Sequence, residues 1–140
     1  MRGIVSTLAC LVAVSSASAQ TNPLVGEWLT TFMDPRGITN YATSVAVQPN
    51  GVMIMQMSVS GSGGGGQQTL VFAYQMTGET SYVARVIDYS PKQMCGVVCL
   101  PVQPLVAVGT TTNCQFTLEN NVILMVSCDG QQPPTRYTRQ

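Results

Sequence analysis

Turn-forming clusters recur along this chain at intervals of about ten residues, and the stretches between them are rich in Val, Ile, Thr, Tyr and Phe. Sustained helical periodicity is missing from those stretches, and Gly and Pro come too often for long helices. The rhythm specifies an all-β sandwich or barrel. Strands are expected over residues 24–33, 38–48, 52–60, 69–76, 80–89, 110–118, 122–128 and 135–139. Their separators include Asp34-Pro35-Arg36-Gly37, Pro49-Asn50-Gly51, a Gly61–Gly66 run, Thr77-Gly78 and Glu119-Asn120-Asn121. Short turns between consecutive strands predict an antiparallel up-and-down meander, and closing it into a barrel removes the edges that invite aggregation.

Period-2 alternation fixes the inward faces. Trp28 and Phe32 share one, as do Tyr41, Val45 and Val47. Met53, Met55, Met57 and Val59 form a ladder, and Leu70, Phe72, Tyr74 and Met76 form another. One apolar side per strand fits an antiparallel sheet that is wet on its other side.

The first nineteen residues read as an export signal outside the fold. Arg2 supplies a positive start, an apolar run spans 4–14, and Ala17-Ser18-Ala19 is an A-x-A cleavage pattern. Such a run is too short to cross a bilayer, which needs roughly 20 residues. Removing 19 of the 140 residues leaves 121, a single domain over 20–140. The location is then secreted or periplasmic, and the mature chain carries no membrane span. Arg2 leaves with the signal, so six carboxylates outnumber the remaining cations by one. Without a basic patch, a nucleic-acid partner is excluded.

Cys10 also leaves, and Cys95, Cys99, Cys114 and Cys128 remain. An even count in an exported small domain reads as two disulfides. A hairpin with Asn120 and Asn121 at its tip, plus one further turn residue, puts Cys114 opposite Cys128. Cys95 and Cys99 then close a small ring. The rival pairing joins Cys95 or Cys99 to Cys128 and ties the long loop to the barrel.

Gly26-Glu27-Trp28 starts the first strand, and Arg136-Tyr137-Thr138-Arg139 makes up the last. In these residues and in strand order the chain resembles the calycin group, the lipocalin-like β-barrels, and within it the short bacterial secreted type of unassigned role. The resemblance implies an eight-stranded barrel whose Gly26 and Trp28 open the first strand, with Arg136 or Arg139 packed across the Trp ring to close the base. A guanidinium over an indole face gains about 0.5–2 kcal/mol, so the pairing has a physical reason of its own.

Histidine is absent from the chain. That removes Ser-His-Asp and Cys-His nucleophiles as usually built, and His-ligated zinc, copper and iron. The Gly61–Gly66 run lacks the Gly-Lys-Ser/Thr ending of a P-loop and reads as a floppy hairpin connection. The carboxylates are not paired in sequence; Asp34 and Asp129 occupy turn positions and Asp88 enters the long loop. The expectation is no catalytic residue, no metal and no cofactor. The Met53-Met55-Met57 ladder has a Cu(I) reading, but neither Cys nor His joins it, and adaptable side chains lining a core or cavity explain it.

The long loop over 90–108 is the strongest functional feature. A loop of this length with no structure of its own is uncommon in a compact domain and tends to be functional. Val97, Val98, Leu100 and Leu105 are costly to leave in water, while Pro91, Pro101 and Pro104 stiffen it. It either covers one barrel end as a lid or plug, or presents a contact surface. Two binding functions follow. A carrier for a small apolar ligand would line its cavity with Tyr41, Met53, Met55, Met57, Phe72 and Tyr74. An interaction protein, such as a hydrolase inhibitor, would meet its partner through Val97, Val98 and Leu100. An enzyme would instead need two facing carboxylates in a pocket.

Overall fold

The structure, a computed structural model, describes residues 21–62 and 64–140. The expected signal segment, its cleavage point after Ala19 and Cys10 lie outside the described residues.

Eight strands close an antiparallel barrel: β1 (Gly26–Met33), β2 (Thr39–Val47), β3 (Val52–Gly61), β4 (Gly64–Met76), β5 (Ser81–Ser90), β8 (Thr111–Glu119), β9 (Ile123–Cys128) and β10 (Thr135–Arg139). Each pairs with its neighbour in the meander, and β10 returns to β1. β6 (Gln93–Cys95) and β7 (Cys99–Pro101) form a separate two-stranded hairpin. The described residues are all-β, and the closed barrel is consistent with lipocalin-like architecture. Among the described residues there is no helix long and apolar enough to cross a membrane.

Alternation decides what is buried. Trp28, Val45, Met53, Leu70 and Phe72 project into one core with Val86, Phe116 and Leu124. Along β3 the inward side chains grade from buried Met53 through half-buried Met55 and Met57 to exposed Val59. The barrel is therefore packed at one end and thins toward the other. A register shift between Val71 and Phe72 leaves Ile87 as the extra residue of β5. A bulge of this kind bends the wall and turns a side chain outward, and Ile87 is exposed.

The packed end is closed by the Gly26-Glu27-Trp28 motif. Trp28 is 1% exposed, and its Nε1 donates to Leu24 O at 2.9 Å. The Arg139 guanidinium lies 4.2 Å from the ring centroid and donates to the carbonyls of Val25 (3.0 Å), Pro23 (3.2 Å) and Asn121 (2.7 Å). Arg139 is thus the closing arginine. Arg136 is not: its neighbours in the last strand alternate faces, and its own side chain is exposed on the outer wall. Gly26 makes room for this arrangement. Its φ is +141°, and a Cβ there would sit 2.5 Å from Arg139 Nη1.

Both disulfides take the pairing that hairpin geometry favoured. Cys114 lies directly opposite Cys128, with Cα atoms 4.0 Å apart. Asn120 and Asn121 adopt φ of 50° and 57°, and Val122 N donates to Glu119 O at 3.0 Å. Two left-handed residues make the tight turn whose twist suits a hairpin, and Asn tolerates that conformation. Val122 is the one further turn residue. Cys95 pairs with Cys99. Disulfides form and persist in oxidising compartments.

Two expectations need correction. The Gly61–Gly66 run is not a floppy connection: Gly61 ends β3, Gly64 to Gly66 begin β4, and Gly61 pairs with Gly64. Ladder bonds need only backbone, and close packing favours glycine. A Cβ at Gly61 would lie 2.6 Å from Ile38 O, and one at Gly65 2.7 Å from Val59 O. The long loop, in turn, is not without structure of its own, because it contains the β6–β7 hairpin.

Candidate functional site: the apolar end of the barrel

Chain direction sorts the connections between two ends. The 34–38 turn, the β3–β4 tip, the long loop and the 129–134 turn share the thin end. The 48–51, 77–80 and 120–122 turns share the packed end with Trp28. Exposed large apolar side chains gather at the thin end, on the rim as Phe32, Tyr41 and Val59 and on the long loop as Met94, Val97, Val98 and Leu100. Val122 is the exception at the packed end.

The long loop divides into two parts with different structures. Its first half is the outward hairpin. Gln93 pairs with Pro101, Met94 with Leu100 and Cys95 with Cys99, and Val102 N extends the ladder to Lys92 O at 2.9 Å. Val97 at the tip is fully exposed, and Val98 is 71% exposed. The stem is fixed: Lys92 pairs with Asp88 and lies 3.6 Å from the Tyr89 ring centroid.

The second half folds back against the barrel. The Gln68 side-chain amide accepts from Leu105 N at 2.7 Å and donates to Gln103 O at 3.2 Å, standing in for a neighbouring strand. Val106 packs on the core. Gly109 N donates to Val86 O (2.8 Å), and Val86 N donates to Thr110 O (3.0 Å). One half of the loop stands out from the barrel and the other lies back against it.

The barrel interior retains an apolar void of about 70 Å³, lined by Trp28, Val45, Met53, Met55, Tyr82 and Tyr137 among others. Of the residues expected around a ligand cavity, Met53 and Met55 reach this void. Phe72 is packed in the core wall. Tyr74 is buried, donating its hydroxyl to Gln48 O at 2.6 Å and accepting from Asn22 at 3.0 Å. Met57 is half-buried nearer the mouth, and Tyr41 stands on the rim with its ring centroid 5.9 Å from that of Phe32. The six do not line one cavity. Sequence reasoning put Phe32 on the Trp28 face but missed its place in the site; its position two pairs beyond Trp28, past the packed layer, was the available signal.

Two ion pairs at the thin end are closed on themselves. Asp34 accepts from the Arg36 backbone N–H and guanidinium, which hold its carboxyl below the usual value. Lys92 and the Tyr89 backbone N–H do the same to Asp88. Each pair neutralises itself, and exposed apolar side chains stand around them.

Inside, burial pushes the Tyr82 phenol well above the ordinary 10.0, and the nearby Tyr137 phenol adds to the effect. Burial raises Tyr137 as well. A raised folded-state value favours the neutral phenol. Its stabilisation is complete below the unfolded value near 10 and is lost as pH rises toward the folded value. Urea midpoints are therefore expected to be flat from pH 8 to about 10 and to fall above it. Tyr82→Phe should flatten that alkaline limb; an unchanged limb would show that other groups control it.

No protein-family model, curated protein or solved structure matches this chain. The chain is an all-β closed barrel, a fold compatible with ligand binding.

Proposed function

We propose that this chain is an exported binding protein that acts without catalysis and engages a protein partner through the apolar end of its barrel, with the β6–β7 hairpin as the inserting element. The observation that carries this reading is the exposure of Met94, Val97, Val98 and Leu100 on a hairpin braced by Cys95–Cys99 and fixed at its stem. Contiguous exposed apolar surface of this kind marks interaction sites. Pre-stiffening supports it, because an ordered hairpin avoids part of the ordering cost of association. A partner that inserts this tip into a cleft, as a hydrolase accepting an inhibitor would, fits its shape.

The test is photo-crosslinking in the organism that makes the protein. A benzophenone side chain in place of Val98 is expected to capture one discrete partner, and the same probe in place of Thr117 on the wall is expected to capture none. Val97→Ser and Leu100→Ser made together in the protein that carries the probe at 98 should weaken capture about a hundredfold, as loss of a central apolar anchor does, with an unchanged unfolding midpoint. Equal labelling from both positions, or full capture by that double variant, would refute the proposal.

A second reading, the carrier of a small apolar ligand, has one observation in its favour. Met53 and Met55 line the void and can repack. Its 70 Å³ is small beside the 300 Å³ or so where ligand pockets usually begin. Native mass spectrometry of protein purified from its source would reveal a co-purifying ligand if this reading is right.

A further inference from the structure

The barrel is closed at β1–β10 by only two residue pairs, Trp28 with Arg139 and Leu29 with Thr138. Both strands continue beyond them. β1 stays paired to β2 as far as Met33 with Asn40, and β10 stays paired to β9 back to Thr135 with Val126. The two strands therefore part toward the thin end. A cleft of about 290 Å³ opens there, lined by Leu29, Thr30, Thr31, Arg136 and Thr138.

Backbone direction in the seam follows from the hydrogen bonds on either side. Gln140 N donates to Glu27 O, so Glu27 and every second residue after it, including Thr31 and Met33, aim N–H and C=O at β10. Arg139 N donates to Val122 O on the other side, so Arg136 aims its backbone at β1. Thr31 opposite Arg136 is the next hydrogen-bonding pair, and among the described residues it is unmade. Thr31, Met33 and Arg136 are all exposed.

We infer that this seam is a strand-addition site, taking an extended segment of another polypeptide with the pattern apolar–acidic–apolar. A row of free N–H and C=O groups at strand spacing is matched by another backbone in extended form. Side-chain alternation sets the pattern. Trp28, Thr30 and Phe32 face inward on β1, and Tyr137 faces inward on β10, so the outer residues of the added segment meet apolar surface. Thr31 and Arg136 face outward, so the central residue lies beside a guanidinium that pairs with no carboxylate among the described residues. A second barrel is a poor occupant. The cleft narrows to ordinary strand spacing at Leu29–Thr138, which admits a single chain from the open end but not the edge of a folded sheet. This site does not depend on the hairpin acting as the inserting element.

The test uses the full oxidised chain and amide exchange read by NMR. In the free protein, Thr31 and Met33 are expected to exchange about a hundredfold faster than Leu29, as unpaired amides do. The probe is the capped peptide Thr-Val-Glu-Val-Thr. It should slow both amides, and its central-Lys counterpart should bind about three- to fivefold more weakly, the value of one exposed charge pair. Arg136→Glu should reverse that preference. A version N-methylated at the central residue should not bind. The inference is overturned if Thr31 and Met33 are as protected as Leu29 in the free protein, or if no peptide shifts them at millimolar concentration. Equal binding of the N-methylated peptide would also overturn it, as would protection that rises with protein concentration alone, which would make a second copy the occupant.

Discussion

Trp28→Ala is expected to lower stability by about 3–5 kcal/mol, the cost of emptying a buried aromatic site. That is a large share of the roughly 5–15 kcal/mol available to a domain. Three losses coincide. The indole occupies the base of the core at 1% exposure. Its Nε1 bond to Leu24 O holds the segment that crosses the packed end. Its face is the platform for Arg139, whose three carbonyl bonds join that segment to the 120–122 turn. Trp28→Phe keeps most of the ring and loses the hydrogen bond, so about 1–2 kcal/mol is expected. Arg139→Lys keeps the charge but not the fork, and its cost should fall between the two. Urea unfolding followed by far-UV circular dichroism measures all three. A Trp28→Ala midpoint within error of the parent would show that the packed end closes without this stack.

Much of this arrangement was legible in the sequence because local rules dictate it. Alternating Met53, Met55 and Met57 declare an inward face in any strand register. Asn120-Asn121 declares a tight turn, and with one added residue it brings Cys114 and Cys128 together. Features that depend on register between distant segments were not legible. Arg136 and Arg139 are equally plausible partners for Trp28 until β10 is set against β1 as Trp28 opposite Arg139, which puts Arg139 inside and Arg136 outside. The early parting of β1 from β10 is hidden for the same reason. Gly61 and Gly64 to Gly66 show no strand signal, because the signal is carried by side chains that glycine lacks. β6 and β7 escape because three residues are too few to show a period.

For the candidate site, the sequence marked the long loop as a unit but could not divide it into an outward hairpin and a returning segment. The division rests on Gln68, a polar residue at an inward position 35 residues from its partner Gln103. Only the folded chain shows that its amide replaces a missing strand. That clamp holds 103–106 down and leaves 93–101 standing free.

The two disulfides are expected to differ sharply in what they stabilise. Replacing Cys114 and Cys128 together by Ala should cost about 3 kcal/mol, the chain-entropy value for a ring of roughly 15 residues. That corresponds to a fall in the thermal midpoint of roughly 10 °C for a domain of this size. The bridge spans 14 residues and ties β8 to β9 inside the barrel, where Cys114 is buried, so the ring it closes is released only when the whole domain unfolds. Cys95–Cys99 spans four residues in a hairpin whose side chains are exposed. Its loss frees a piece that adds almost no buried surface to the barrel. Replacing both by Ser should leave the global midpoint unchanged within about 2 °C, because local opening is separate from the main unfolding unit. Capture through Val98 should nevertheless weaken, since the tip would have to be ordered on binding. Calorimetry of the two double variants decides the matter. Equal falls in midpoint would mean that the hairpin unfolds with the barrel, and the separation of a rigid wall from a presented loop would be lost.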